Sequence, residues 1–144
     1  MIARRMDKMK RRIVAVIMLT LLLCSCFVGY AEAAEQRASE LIISCSCGIS
    51  SKGTTLHATA AVSAKVTCDQ IGFISLTIQE YINGKWVTVA GEYGQYAKDK
   101  SGYSISLSHD GKSGAKYRAQ CKAYVKDGSL SDTTSKTSGT KTLP

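Results

Sequence analysis

Proline is almost missing from this chain: there is one, Pro144, at the far end of the sequence. No strand is therefore interrupted by a ring that lacks an N–H. Histidine is nearly as scarce, with only His57 and His109, so few groups are available for proton transfer or metal ligation near neutral pH. There is one tryptophan, Trp86, and all four methionines fall within the first eighteen residues. No apolar run reaches the roughly 20 residues that a membrane-spanning helix needs. Helical periodicity, internal repeats, a dividing linker, a phosphate loop, a nucleophile elbow and a paired-carboxylate motif are also missing. These absences point away from an enzyme and leave a small β-rich chain.

The opening residues read as an address rather than as fold. Arg4, Arg5, Lys8, Lys10, Arg11 and Arg12 precede an apolar stretch from Ile13 to Val28. Small residues then flank Glu32 in Ala31-Glu32-Ala33. A basic segment, a short apolar segment and a small-x-small exit make a secretory signal peptide over residues 1–33, with cleavage expected after Ala33. The chain is thus expected to be secreted, meeting the membrane only in transit. A second exit competes: Leu23-Cys24-Ser25-Cys26 resembles the box at which bacterial lipoproteins are cut and acylated, which would tether the chain at Cys26. The leader holds six of the nineteen basic residues, so much of the +8 net charge belongs to it, and nucleic acid is not an expected partner.

After a lead-in at 34–40, residues 41–144 alternate with a period of two. Leu41, Ile43, Cys45, Cys47 and Ile49 share one face. Past the turn Ser51-Lys52-Gly53, Leu56, Ala58, Ala60, Val62, Ala64 and Val66 do the same. Such alternation marks half-buried strands with one wet side. A third strand spans 71–82, with Ile74, Leu76 and Ile78 inward. Asn83-Gly84 supplies the positive φ values of a two-residue hairpin, predicting Ile82 opposite Lys85, Tyr81 opposite Trp86 and Ile78 opposite Val89. Residues 91–101 read as loop, because Gly91 and Gly94 punctuate them and Lys98-Asp99-Lys100 makes a charged tip. Tyr103, Ile105 and Leu107 give a fifth strand, and His109-Asp110-Gly111 with Gly114 a turn. Tyr117, Ala119, Cys121, Ala123 and Val125 form the inward side of a sixth. The Ser/Thr-rich tail holds a polar edge strand between Leu130 and Lys141. Seven short antiparallel strands without a helix predict an all-β sandwich of the immunoglobulin or fibronectin type.

Several short segments resemble a family of small secreted proteins of unknown function from Gram-positive, largely clostridial bacteria. They are Arg37-Ala38-Ser39, Asp69-Gln70-Ile71-Gly72, Ile78-Gln79-Glu80 with Gly84-Lys85-Trp86, Gly114 with Tyr117-Arg118-Ala119, and Ser131-Asp132-Thr133. The resemblance covers nearly the whole region after the leader and implies a β-sandwich with no assigned activity. The family pattern usually lacks cysteine where this chain has Cys45, Cys47 and Cys68, so it implies no role for those thiols.

Four cysteines remain after the leader: Cys45, Cys47, Cys68 and Cys121. Cys45 and Cys47, two residues apart on one face, are poorly placed to bond each other. A disulfide from Cys121 to Cys68, Cys45 or Cys47 is open, and so is a set of buried thiols acting as small apolar residues. A zinc site wants about four convergent ligands, and His57 points away from the apolar face, so no metal or other cofactor is expected.

His109-Asp110 has the composition of half a catalytic triad, but neighbours in a turn rarely orient each other as catalysis requires. A hydrolase would have to be assembled from scattered carboxylates such as Glu80, Asp99 and Asp110. More promising are the aromatic residues. Tyr81 and Trp86, with Tyr93 and Tyr96 beyond them, would make a platform for stacking on sugar rings or another protein if their sheet face is open. A sole tryptophan in a small sandwich more often packs into the core, and that placement is the expectation. Arg118, Lys122 and Lys126, with Tyr124 among them, form a basic stripe: ordinarily a solvated face, alternatively a contact for anionic cell-wall polymer. The sequence thus favours a non-enzymatic module that binds cell-wall polymer, carbohydrate or another extracellular protein, with an envelope-structural lipoprotein as the alternative.

Overall fold

The computed structural model describes residues 40–144. The leader, its cleavage point, Cys26 and most of the lead-in lie outside the described residues. Eight strands follow in order: β1 (Ile42–Lys52), β2 (Thr55–Cys68), β3 (Gln70–Ile82), β4 (Lys85–Ala97), β5 (Lys100–Asp110), β6 (Lys116–Asp127), β7 (Leu130–Thr137) and β8 (Lys141–Thr142). They build two antiparallel sheets, a three-stranded one ordered β1-β2-β5 and a five-stranded one ordered β4-β3-β6-β7, with β8 added along β6. The chain changes sheet between β2 and β3, between β4 and β5, and again before β6. Among the described residues no helix is long and apolar enough to cross a membrane.

The sheets meet through the faces that the alternation marks. From the smaller sheet come Leu56, Ala58, Ala60, Val62 and Ala64; from the larger come Ile71, Phe73, Leu76, Ile78, Tyr117, Ala119, Cys121, Ala123 and Val125, all buried. Phe73 meets Tyr103 of β5 across the interface, with ring centroids 6.4 Å apart. Each buried Leu, Ile or Phe contributes about 1.5–3 kcal/mol relative to exposure. The hairpin forms as expected, with Asn83 at φ 50° and Gly84 at φ 80°, and Ile82 opposite Lys85 and Tyr81 opposite Trp86.

Departures from strict alternation fall where one extra residue slips the register. On β1 the slip lies between Ile42 and Ser44, so Leu41 and Ile42 turn inward while Ile43, expected in the core, is 63% exposed. β2 loses register with β5 after Ser63, and Val66 faces solvent instead of the core. A slip between Phe73 and Ser75 makes Phe73 the core residue and leaves Ile74 half-buried. Ile78 pairs with Ala90 rather than Val89, because Val89 is the additional residue of a bulge in β4.

Two segments expected as loop are strand. β4 continues to Ala97, which leaves only Lys98 and Asp99 as the connection to β5. Gly91 and Gly94 are tolerated because β4 is an edge strand with a single partner. His109 and Asp110 end β5 instead of forming a turn. The tail divides into β7 and β8, and Leu143 beyond them is a core residue held by backbone bonds from its N–H to the Ala115 carbonyl and from the Gly114 N–H to its own.

Candidate functional site

The outer face of the five-stranded sheet gathers every side chain that the sequence marks for recognition. β3 and β4 carry Tyr81, Trp86, Tyr93 and Tyr96; β6 carries Arg118, Lys122, Tyr124 and Lys126 on the same side. β3 lies between the other two, with small or polar outward residues at Gly72, Ser75, Thr77 and Gln79. Aromatic and basic residues, separate in sequence, therefore share one surface.

Trp86 is not in the core, which corrects the favoured expectation. Its ring lies 5.1 Å from that of Tyr81, inclined at 53°, on the face turned away from Ile78. The Arg118 guanidinium covers it, with Cζ 4.3 Å from the ring centre. The size of an indole does not decide its place; hairpin register does, and Tyr81 already faces outward. Arg118 is aimed by a hydrogen bond from its Nε to Gln79 Oε1 (2.8 Å), and the Gln79 side-chain amide donates in turn to Gln120 Oε1.

At the other end of the same face, Tyr96 meets Tyr124 edge-on, with centroids 6.0 Å apart. Both rings flank Gly72, where an added Cβ would come within 2.1 Å of the Gln95 carbonyl oxygen and 2.7 Å of the Tyr96 Cα. Tyr93 is 61% exposed and lies across Gly91. The result is two aromatic clusters joined by the polar strip Thr77-Gln79-Gln120, with Lys122 and Lys126 alongside. Tilted and edge-on aromatic pairs, a guanidinium and hydrogen-bonding amides thus share one surface.

The opposite outer face has another chemistry. Ser46, Thr59, Ser104 and Ser106 line a shallow depression of about 280 Å³. His57 belongs here, as the alternation implies, with Nδ1 2.9 Å from Ser108 Oγ.

The carboxylates named for hydrolysis do not converge. Asp99 precedes β5 and Asp110 ends it, roughly 35 Å apart at strand rise. Asp110 accepts from the Thr55 hydroxyl at 2.8 Å, and Glu80 is buried with Lys112 Nζ 3.6 Å away. His109 tilts against Tyr117, on the other side of its strand from Asp110, so neither orients the other.

Three of the four thiols come together between the sheets. Cys45 Sγ and Cys121 Sγ are 3.9 Å apart, and Cys47, two residues along β1, also contacts Cys121. S–H donation from Cys45 and then Cys47 lowers the Cys121 pKa, with help from Lys136 and against burial. The same contacts, followed by burial, raise Cys45 and Cys47. Cys68 stands apart at the end of β2, donating to the Val66 carbonyl; burial first, and then Asp127 and Asp69, push its pKa up. All four are free thiols, and among the described residues no group of three or more His, Cys, Asp or Glu is arranged to hold a metal ion.

Sequence reasoning missed three contributors. Gln79 and Gln120 carry no pattern beyond outward parity, and their role emerges only when β3 and β6 are paired. Leu143 is a single apolar residue in a polar tail, without periodicity to mark it.

No protein family, curated protein or solved structure matches the chain.

Proposed function

We propose that this chain is an exported, non-enzymatic binding module of the immunoglobulin or fibronectin type, working through the outer face of its five-stranded sheet. The ligand is an anionic carbohydrate polymer of the cell envelope. The observation that carries this reading is the half-buried Trp86 ring on the outer face, flanked by Tyr81 and covered on one side by Arg118, with Lys122 and Lys126 on the same face.

Two features support the fold type. Three strands, β1-β2-β5, face four, β4-β3-β6-β7, with repeated sheet changes, as in seven-stranded sandwiches of this kind. The Tyr117 hydroxyl accepts a 2.9 Å bond from the Lys112 N–H five residues upstream, which is the arrangement of a tyrosine corner. Cys121 follows Tyr117 by four residues rather than two, so the cysteine pattern of antibody domains does not apply. Export, and the resemblance to small secreted proteins of Gram-positive bacteria, belong to the same reading.

An array of acidic and neutral polysaccharides, probed with wild type, Trp86→Ala and Lys122→Ala, tests the function. Binding confined to acidic polymers, weakened by salt and lost in Trp86→Ala, is expected. Equal binding by wild type and Trp86→Ala, or none by either, overturns it.

A further inference from the structure

The thiol cluster lies away from the proposed binding face and has chemistry of its own. A buried cysteine that merely fills space is enclosed and has no sulfur partner. Cys45 and Cys47 are instead only half-buried, on an edge strand, and both turn toward Cys121 on the opposite sheet. Cys121 is fully enclosed, so of the three it is the one that a reagent in solution cannot reach first. Lys136, opposite Cys121 on β7, is the neighbouring cation and favours a thiolate in the group.

We propose that Cys45, Cys47 and Cys121 form a thiol–disulfide exchange site that closes one bridge between the sheets, Cys45–Cys121, with Cys47 able to replace Cys45. A disulfide oxidant, R–S–S–R, supplies the two-electron oxidation. The half-exposed Cys45 passes its proton to the Cys121 sulfur beside it and attacks the oxidant as the thiolate, forming a mixed disulfide and expelling one RS⁻, which takes that proton from Cys121. The Cys121 thiolate, whose sulfur starts 3.9 Å away, then attacks the Cys45 sulfur and expels the second RS⁻. Two protein S–H bonds are lost, one S–S bond forms, and the oxidant leaves as two thiols carrying the two protons. The sulfurs must approach by about 2 Å to reach bonding distance. Cys47 retains its thiol beside the new bridge, where it attacks the Cys121 sulfur and exchanges partners. Cys68, isolated at the end of β2, takes no part.

The test is native incubation of the full chain with oxidised glutathione, an acid quench, intact mass and peptide mapping. Wild type is expected to lose two hydrogens and yield one bridge from the β1 peptide to Cys121, with the melting midpoint raised by about 10 °C or more. Cys45→Ser should move the bridge to Cys47–Cys121, and Cys68→Ser should change nothing. Because Cys121→Ser alters the core, the Cys45→Ser/Cys47→Ser double variant is the second control, and it should leave no bridge. An unchanged mass, glutathione adducts that persist on wild type, or a bridge through Cys68 overturns the proposal.

Discussion

The guanidinium of Arg118 lies over the ring of Trp86, joining β6 to β4 across the intervening β3. The contact is both a structural clamp and the centre of the proposed binding face. Its stability share is expected at about 0.5–1 kcal/mol. Urea unfolding of Arg118→Ala, Trp86→Ala and the double variant should return a coupling of that size. Arg118→Lys should recover only part of it, because an ammonium does not stack as a planar guanidinium does. Additive single losses would mean that the stacking contributes nothing.

Tyr117 supplies the acceptor for the Lys112 N–H from a ring with no exposed surface. Tyr117→Phe should therefore cost about 1–3 kcal/mol, since the N–H loses its partner inside the fold. Tyr124→Phe, on the outer face, should stay within about 0.5 kcal/mol of wild type. Equal effects of the two changes would remove the structural role of the Tyr117 hydroxyl.

Leu143 closes the end of the core beneath Gly111 and Tyr117. Leu143→Ala is expected to destabilise by about 2–4 kcal/mol, while Leu130→Ala, half-exposed on β7, should be nearly silent. Denaturant midpoints at constant m-value measure both. A silent Leu143→Ala would show that the tail does not seal the core.

Cys68 gives a pH dependence with a definite sign. Burial raises its folded pKa above the ordinary 9.0, so above pH 9 the unfolded chain releases this proton while the folded chain keeps it. The stability due to Cys68 is intact below pH 9 and lost as pH rises toward the folded value. Unfolding free energies from pH 8 to 10.5 should fall more steeply for wild type than for Cys68→Ala. The difference is at most about 1.4 kcal/mol per pH unit. Parallel curves would show that burial does not shift this thiol.

Gly72 has backbone where a side chain would go. Gly72→Ala pushes a methyl into the Gln95 carbonyl and the Tyr96 Cα, neither of which can rotate aside. A loss of about 1–3 kcal/mol is expected, together with a change in near-ultraviolet dichroism as the Tyr96–Tyr124 pair separates. A wild-type spectrum and midpoint would mean that β4 shifts freely at this point.

The strands were legible where side chains obey one parity from end to end. β6 is the clearest: Tyr117, Ala119, Cys121, Ala123 and Val125 are all enclosed, as their spacing implies. Misplacements occurred at Ile43, Ile74, Val66 and Val89, each at a slip of register. A bulge is set by the partner strand, which local spacing does not contain. Gly91 and Gly94 looked like loop because composition does not say that β4 lies at an edge. Trp86 was misjudged for another reason. The hairpin register puts it beside Tyr81 on the outward face, whereas the expectation followed the common core placement of a sole tryptophan in a small sandwich. The meeting of the aromatic and basic groups, and of Cys45 and Cys47 with Cys121, depends on strand order and sheet packing. Neither is a local property of the chain.

Strand order also has a kinetic consequence. β2 pairs with β5 and β3 with β6, so neither sheet can be completed from neighbouring hairpins. Long loops must close before those pairings are stabilised, which puts folding on a millisecond-to-second timescale. Cys45 and Cys121, 76 positions apart, first meet when that closure is nearly finished. Any bond between them records a finished fold rather than guiding its assembly.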